Sequence, residues 1–147
     1  MIETAKPMDL LQRFSFPGLP IRGQWVRLTA TLGAIARYQN YPPDVQALLG
    51  EMFAAVTMVA DNLKFSGAVS LQSQGDGALS RSLAECREQQ YLRGIAQLAE
   101  NVRPSPNTGN LVDWLGNGQL ALSLLPDKAT GMNPYQGLVA IDPRGLA

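Results

Sequence analysis

Apolar and polar side chains alternate with two different periods along the chain, and the change of period predicts the elements. Across residues 43–64, apolar side chains recur every three to four positions, which is the spacing of one face of a helix. Pro43 suits the first turn of that helix because its missing N–H costs little there, and Asp44 is favourable beside the N-terminal dipole. We therefore expect one long helix, covered on most sides over residues 54–60, where almost every side chain is apolar or small.

A period of two, typical of half-buried strands, follows this helix. It spans residues 66–74, 78–86, 91–98, 120–124 and 135–141, and a further strand is expected at residues 21–28. Thr29 can cap a short helix after that early strand. The small side chains that alternate along residues 78–86 predict close approach of another element, and residues 101–109 predict a surface loop. The fold class is therefore α+β: a mostly antiparallel sheet of about five to six strands packed against a long central helix and a shorter helix.

Composition and charge argue against several classes of partner and location. The chain has 147 residues, so we expect a single domain over residues 1–147. Lysine plus arginine equals aspartate plus glutamate, 12 of each, which argues against nucleic acid or an anionic membrane as a partner. The longest apolar run is far shorter than the ~20 residues of a membrane-spanning helix, and the first 20 residues lack a secretory signal. The single cysteine is compatible with a cytoplasmic location.

Each candidate chemical motif has a structural alternative. Gly75-Asp76-Gly77 and Gly116-Asn117-Gly118 lack the patterns of phosphate-binding loops, so we interpret both as hairpin turns. The first of them supplies residues that tolerate positive φ in such a turn. Cys86 is either a reactive thiol or a structural, partly buried one, and the second is favoured because the chain has no histidine base and no resolving cysteine. Lys64 is placed to face the C-terminal dipole of the long helix. We expect no enzyme activity, and one cysteine cannot supply a zinc site.

Several short motifs follow one another at characteristic spacings over roughly residues 10–141. They are Arg22-Gly23, Tyr41-Pro42, Leu63-Lys64-Phe65-Ser66-Gly67, Gln74-Gly75-Asp76-Gly77, Arg93-Gly94, Gly116-Asn117-Gly118 and Tyr135-Gln136-Gly137. In this order, they resemble the core domain of the 33-kilodalton chaperonin (heat shock protein 33) family. The resemblance assigns these residues to the family framework: Arg22, Gly23, Lys64, Gly75, Gly77, Arg93, Gly94, Gly118, Gln136 and Gly137. Whether Arg22 and Arg93 bind backbone or carboxylate groups stays open.

The resemblance implies a function as well as a fold. Members are described as bacterial cytosolic holdases with a folded core, a linker that lies on it, and a C-terminal module whose cysteines hold zinc until oxidation. By this resemblance the chain is a truncated core without the linker or the zinc module, and it holds no cofactor itself. The expected function is an ATP-independent, redox-regulated chaperone of the stress response that prevents aggregation of unfolding or oxidatively damaged proteins. Two alternatives stay open: an inactive truncated scaffold, and a small-ligand protein or enzyme that reuses the fold.

Unfolded or partly folded client proteins are the partners that the resemblance implies. Such clients need a broad apolar surface, and the family's linker covers part of the core sheet, so we expect apolar strand faces that this chain leaves open. The candidate client-binding residues are Val69, Leu71, Leu92, Leu98, Leu120, Leu122 and Leu124. The alternative is that these side chains pack wholly beneath the long helix. An open sheet edge also predicts self-association, with a homodimer as the simplest form.

Overall fold

Seven strands in two antiparallel sheets and one long helix make up most of the fold in the computed structural model, which describes residues 8–89, 91–100 and 111–141. The elements in chain order are β1 (Asp9–Ser15), β2 (Arg22–Leu28), α1 (Thr29–Tyr38), α2 (Pro43–Asn62), β3 (Gly67–Gly75), β4 (Leu79–Arg87), β5 (Tyr91–Leu98), α3 (Leu111–Leu115), β6 (Gly118–Pro126) and β7 (Tyr135–Ile141). β1 pairs with β2, and the main sheet has the order β5-β4-β3-β6-β7. The predicted α+β class is confirmed, while the loop predicted at residues 101–109 lies outside the described residues.

Helix α2 forms the centre of the hydrophobic core. It packs against β2, β3, β4 and β5, and its buried side chains are Val45, Leu48, Leu49, Met52, Phe53, Val56, Thr57 and Ala60. None of residues 52–60 is exposed, so the predicted covering of the second half of this helix is confirmed. The helix ends at Asn62, and its last turn holds no cation. Lys64 lies two residues beyond the end of the helix rather than in its last turn, so its predicted position against the C-terminal dipole is wrong.

The ring of Phe53 reaches the sheet at a glycine. A Cβ on Gly94 would lie 2.5 Å from Phe53 Cζ and 2.5 Å from the backbone oxygen of Leu83, closer than real Cβ atoms come. On the neighbouring strand Ser82, Ala84 and Cys86 are buried, so the small side chains of β4 allow the close approach that their alternation predicts. At Leu79 the alternation is broken by an irregular register between Leu79 and Arg81, and this large side chain is buried instead.

The hairpin β1-β2 is the largest departure from the sequence prediction. The alternation analysis predicts β2 but does not find β1. Register pairs Leu11 with Val26 on the face toward the core, whereas Leu10 and Phe14 lie on the opposite face. Because apolar side chains occupy both faces of β1, the period-two signal that would identify the strand cancels.

A carboxylate on β1 caps the N-terminus of helix α1. Asp9 Oδ1 accepts hydrogen bonds from the backbone N–H groups of Ala30 (2.8 Å) and Thr31 (3.2 Å). The predicted cap at Thr29 is wrong, because Thr29 is already in the first turn and the residue before the helix makes no side-chain cap. The group that satisfies these N–H donors is thus some twenty residues away in sequence, and it ties the hairpin to α1.

The two Gly-x-Gly segments are hydrogen-bonded to each other. The N–H of Gly77 donates to the Leu115 carbonyl (2.7 Å), and Asp76 Oδ1 accepts from the N–H of Asn117 (2.8 Å). The segment at Asp76 joins β3 to β4, as predicted for a hairpin turn. The segment at Asn117 joins α3 to β6, so its interpretation as a hairpin turn is wrong.

The glycines of the β3-β4 turn are needed for space rather than for positive φ. Positive φ among the described glycines occurs only at Gly18, Gly67, Gly116 and Gly131. A Cβ on Gly75 or Gly77 would collide with the carbonyl of Leu115 or Trp114, which come from the segment that the turn binds. The expected conformational role of Gly75 and Gly77 is therefore replaced by close packing of two backbones.

Replacing Gly94 with alanine should destabilise the fold by about 1–3 kcal/mol, because the new methyl group overlaps the Phe53 ring and a backbone oxygen that cannot move away. Gly137→Ala is the matched control on β7, where a Cβ would be 3.7 Å from its nearest neighbour. This variant should be neutral or slightly more stable. Urea unfolding of both variants measures the difference, and equal free energies of unfolding would contradict the packing of Phe53 on Gly94.

Candidate functional site

Helix α2 covers one side of the main sheet unevenly. It packs against β3, β4 and β5, whereas β6 and β7 have no comparable contact with it. Register places Val69 beside Leu124, and Leu124 beside Tyr135, all on the side that faces α2. Along this row the exposed fraction rises from 0% at Val69 to 62% at Tyr135. The side chains on this side of β6 and β7 form what we call the β6-β7 surface: Leu120, Leu122, Leu124, Tyr135 and Val139.

Five of the predicted client-binding leucines are half-buried and pack against the core, and three of these five also lie on the β6-β7 surface. Leu120, Leu122 and Leu124 are half-buried and lie together on the β6-β7 surface. Leu71 and Leu92 are half-buried against the core, and Leu98 is exposed at the end of β5. These three are not part of the β6-β7 surface.

Val69 packs beneath the long helix, which is the alternative to client binding that the sequence left open. Its side chain is fully buried on the α2 side of β3, so its prediction as an accessible client contact is wrong. Sequence reasoning also missed two members of the surface, Tyr135 and Val139. The signal was present in the alternation along residues 135–141, which puts Tyr135, Gly137 and Val139 on one side of a strand.

A second apolar surface lies on the outer face of the hairpin. We call it the hairpin surface; it consists of Leu10, Phe14, Phe16, Leu19, Ile21 and Trp25, which are between 40% and 57% exposed. The rings of Phe14 and Phe16 meet edge to face at 6.0 Å, and the Phe14 ring lies where a Cβ on Gly23 would be. Sequence reasoning missed this surface because β1 was not predicted, although the density of aromatic residues over residues 14–25 was a signal.

The inner face of the hairpin is fixed to the end of α2 by a polar network. The Arg13 guanidinium donates to both carboxylate oxygens of Asp61, at 2.6 Å and 2.5 Å. Gln24 also donates to this carboxylate and accepts a hydrogen bond from Asn62 at 2.8 Å. The hydrogen bonds from Arg13 hold the pKa of Asp61 below its ordinary value, although burial acts in the opposite direction.

Acid should weaken this network. Because the pKa of Asp61 is lower in the folded state than in the unfolded state, the carboxylate stabilises the fold above about pH 4, and this contribution is lost as the pH falls through the folded pKa. Asp61→Ala should lower the free energy of unfolding at pH 7. Its difference from the wild type should shrink toward pH 2. The control is Glu51→Ala, an exposed carboxylate on the same helix, and urea unfolding across pH is the measurement. A difference that does not depend on pH would contradict this role of Asp61.

Two predicted framework residues, Arg93 and Gln136, lie in a polar row that crosses all five strands of the main sheet, on the face opposite α2. The row runs Arg93, Glu85, Ser70, Ser123, Gln136 through successive register pairs. Arg93 binds the buried Glu85 carboxylate at 2.9 Å and 3.2 Å, so its partner is a carboxylate, one of the two alternatives left open. Gln136 donates to the Ser123 hydroxyl at 3.0 Å and joins β7 to β6.

The other framework residues have varied surroundings. Gly23 and Gly94 lie beneath aromatic rings, and Gly75, Gly77 and Gly118 lie against backbone carbonyls. Gly137 has no such close neighbour. Arg22 and Lys64 are exposed and line one cleft between the hairpin and the end of α2. Neither makes an ion pair with any residue that the structure describes. The framework role of all ten residues stays a prediction.

The residues of this chain do not fit the zinc that the family resemblance implies. Cys86 is the only cysteine, the chain has no histidine, and no group of three potential ligands occurs within residues 8–89, 91–100 and 111–141. Cys86 is buried, and this burial, followed by the charge of Glu85, raises the pKa of its thiol. No described helix has the length and apolar character to cross a membrane.

Cys86 should react slowly with alkylating agents. With a pKa above the ordinary 9.0, less than about one-tenth of the thiol is thiolate at pH 8, and the thiol is also shielded from solvent. We expect alkylation by iodoacetamide to be at least ~100-fold slower in the native chain than in urea, measured by mass spectrometry. Similar rates in both states would contradict the structural role of this thiol.

The fold is an α+β domain with two antiparallel sheets and two open apolar faces. A sequence model described as Hsp33 protein matches residues 9–147. The 33 kDa chaperonin of Aeromonas salmonicida is 36% identical over 139 residues, which cover 95% of this chain and 45% of that protein. The 33 kDa chaperonin of Shewanella sp. strain ANA-3 is 37% identical over 139 residues, covering 95% and 46%. The chain belongs to the Hsp33 family.

A solved structure agrees with this fold. The crystal structure of the 33 kDa chaperonin (heat shock protein 33 homolog) from Thermotoga maritima matches with a TM-score of 0.60 and 18% identity, over 74% of this chain and 37% of that one. At this identity, the match shows only that the two folds are alike. The chain spans less than half the length of the curated relatives that it matches.

Proposed function

We propose that residues 1–147 form the client-holding core of an ATP-independent, redox-regulated chaperone. The observation that carries this proposal is the β6-β7 surface, where Tyr135 and Val139 are 62% and 51% exposed beside three leucines that α2 leaves partly uncovered. Folded monomers rarely expose contiguous apolar area without an interaction to account for it. The chain's membership in a family of 33 kDa chaperonins supports unfolded or oxidatively damaged proteins as the partners.

The edge strand β7 gives this surface a way to hold segments of any sequence. β7 is the last strand of the sheet, so the backbone groups on its outer side have no strand partner in the described sheet. An extended client segment can add to this edge through backbone hydrogen bonds, which do not depend on sequence. Its alternate side chains then lie on the same side as Tyr135 and Val139, where their burial supplies about 25 cal/mol per Å² of apolar area.

In this proposal, the groups that regulate the chaperone lie outside these residues. Cys86 is buried and its thiol has a raised pKa, so it is poorly suited to sense oxidants. We place the redox switch in the part of the relatives' length that this chain does not span. The core itself needs no catalytic step and no cofactor in this proposal, and the bacterial cytoplasm is its proposed location.

A pair of substitutions on β7 tests the proposal. Val139 and Leu138 are adjacent, exposed by 51% and 62%, and point to opposite sides of the sheet. Val139→Asp should raise the amount of chain needed for half-suppression of client aggregation by about tenfold, which corresponds to ~1.4 kcal/mol of binding free energy. Leu138→Asp should leave it unchanged. Light scattering from a thermally unfolding client protein measures both, under reducing and peroxide-treated conditions.

Two outcomes of this experiment would contradict the assignment, and a third is the one we expect. Equal suppression by the Val139→Asp and Leu138→Asp variants, with both folded by circular dichroism, would remove the β6-β7 surface as the client site. No suppression by the wild-type chain at any ratio would favour the alternative of an inactive scaffold. Suppression that is equal under reducing and oxidising conditions is the expected result, because the switch lies elsewhere in this proposal.

A further inference from the structure

The inner face of the hairpin and the end of α2 border a cleft of about 820 Å³, which we call the hairpin cleft. Register puts Ser15 and Arg22 directly opposite each other on this inner face, next to the pair of Arg13 and Gln24. Lys64, two residues beyond the end of α2, lines the same cleft. A volume of this size lies within the range of about 300–1,000 Å³ that is typical of small-molecule sites.

The hairpin cleft has one carboxylate among its described lining residues, Asp61, and that group is already neutralised. The Arg13 guanidinium binds both of its oxygens, and Gln24 donates a further hydrogen bond. The carbonyl groups at the negative end of α2 are engaged as well. Arg13 donates to the Asp61 carbonyl at 3.0 Å. The Asn62 side chain donates to the Met58 carbonyl at 2.8 Å. These contacts remove the main sources of repulsion that an anion in the cleft would meet.

Three donor groups of the hairpin cleft are uncommitted within residues 8–89, 91–100 and 111–141. The Arg22 guanidinium and the Lys64 ammonium are exposed and make no ion pair or side-chain hydrogen bond with these residues. The Ser15 hydroxyl, opposite Arg22, makes no hydrogen bond with them either. Because Arg13 cancels the one carboxylate of the cleft, the charges of Arg22 and Lys64 stay uncompensated. A cleft lined by charge of one sign concentrates ions of the opposite sign.

We propose that the hairpin cleft binds a small phosphate monoester, with its dianionic phosphate between Arg22 and Lys64. Arginine binds phosphate oxygens through two parallel hydrogen bonds, lysine acts as a point charge, and the Ser15 hydroxyl adds a third donor. One tetrahedral dianion offers oxygens to all three groups and balances both charges, whereas a carboxylate has one charge and two oxygens. A small ligand is favoured over a nucleic acid because the chain has no net charge to attract a polyanion. The ligand bridges the hairpin and the segment after α2, so its binding stabilises the folded hairpin.

Three anions of matched shape or charge test the ligand class. Phenyl phosphate, phenyl sulfate and inorganic phosphate are titrated into the chain at pH 7.5 and equal ionic strength, and isothermal titration calorimetry measures each affinity. Phenyl sulfate has the same tetrahedral group with a single charge, so we expect it to bind at least about tenfold more weakly than phenyl phosphate. Equal affinity for these two ligands, or no binding of phenyl phosphate up to about 10 mM, would overturn the proposal. Inorganic phosphate that binds as tightly as phenyl phosphate would overturn the monoester in favour of the free ion.

Neutral variants locate the binding to the hairpin cleft. Arg22→Gln and Lys64→Gln each remove one charge, and each should weaken phenyl phosphate by about tenfold or more. The control is Arg81→Gln, an exposed arginine on β4 outside the cleft with no ion pair among the described residues, which should bind as the wild type does. Saturating phenyl phosphate should also raise the urea midpoint of the wild type but not that of Arg22→Gln. Wild-type affinity in both cleft variants, with each folded by circular dichroism, would contradict this site.

Discussion

The packing of Phe53 on Gly94 determines where this protein has a core and where it has open surface. Because Gly94 has no side chain, the ring reaches the backbone of the sheet, and α2 lies close to β4 and β5. A helix held at that position covers three of the five strands of the main sheet, β3, β4 and β5. The leucines of β6 and the side chains of Tyr135 and Val139 are then left partly or largely uncovered. The apolar surface of the proposed chaperone is thus a consequence of where one helix contacts the sheet.

The face of the main sheet opposite α2 bears on how the strands stay aligned although α2 covers only part of the other face. The polar row from Arg93 to Gln136 places one polar side chain on each of the five strands at matching register positions. Side-chain hydrogen bonds join its two ends: the buried Glu85 carboxylate is bound by Arg93, and Gln136 donates to Ser123. Slipping β4 or β5 by one residue would move their small side chains away from α2 and separate Arg93 from Glu85, so both faces specify the register of these two strands. Between β6 and β7, the hydrogen bond from Gln136 to Ser123 requires the observed register without a helix above them.

Local patterns in the sequence predict the parts of this fold that depend on neighbours in the chain. The long helix, five strands of the main sheet and the β3-β4 turn follow from periodicity and turn residues. The partners of Asp9, Arg13 and Glu85 could not be predicted, because each lies on another element and nothing in single-sequence spacing encodes it. The same limit applies to the candidate site: alternation identifies the leucines of β6, but only the order of strands shows that Val69 lies under α2 and Leu122 beyond it.

Helix α2 also connects the β6-β7 surface with the hairpin. Its middle turns decide how much of the sheet is covered, and its last turn holds the hairpin through Asp61. A displacement of α2 would therefore alter both the exposure of the β6-β7 surface and the anchoring of the hairpin. Because the Asp61 network lies on the inner face and the aromatic residues on the outer one, the hairpin can present Trp25 and Phe14 without giving up contacts to the core.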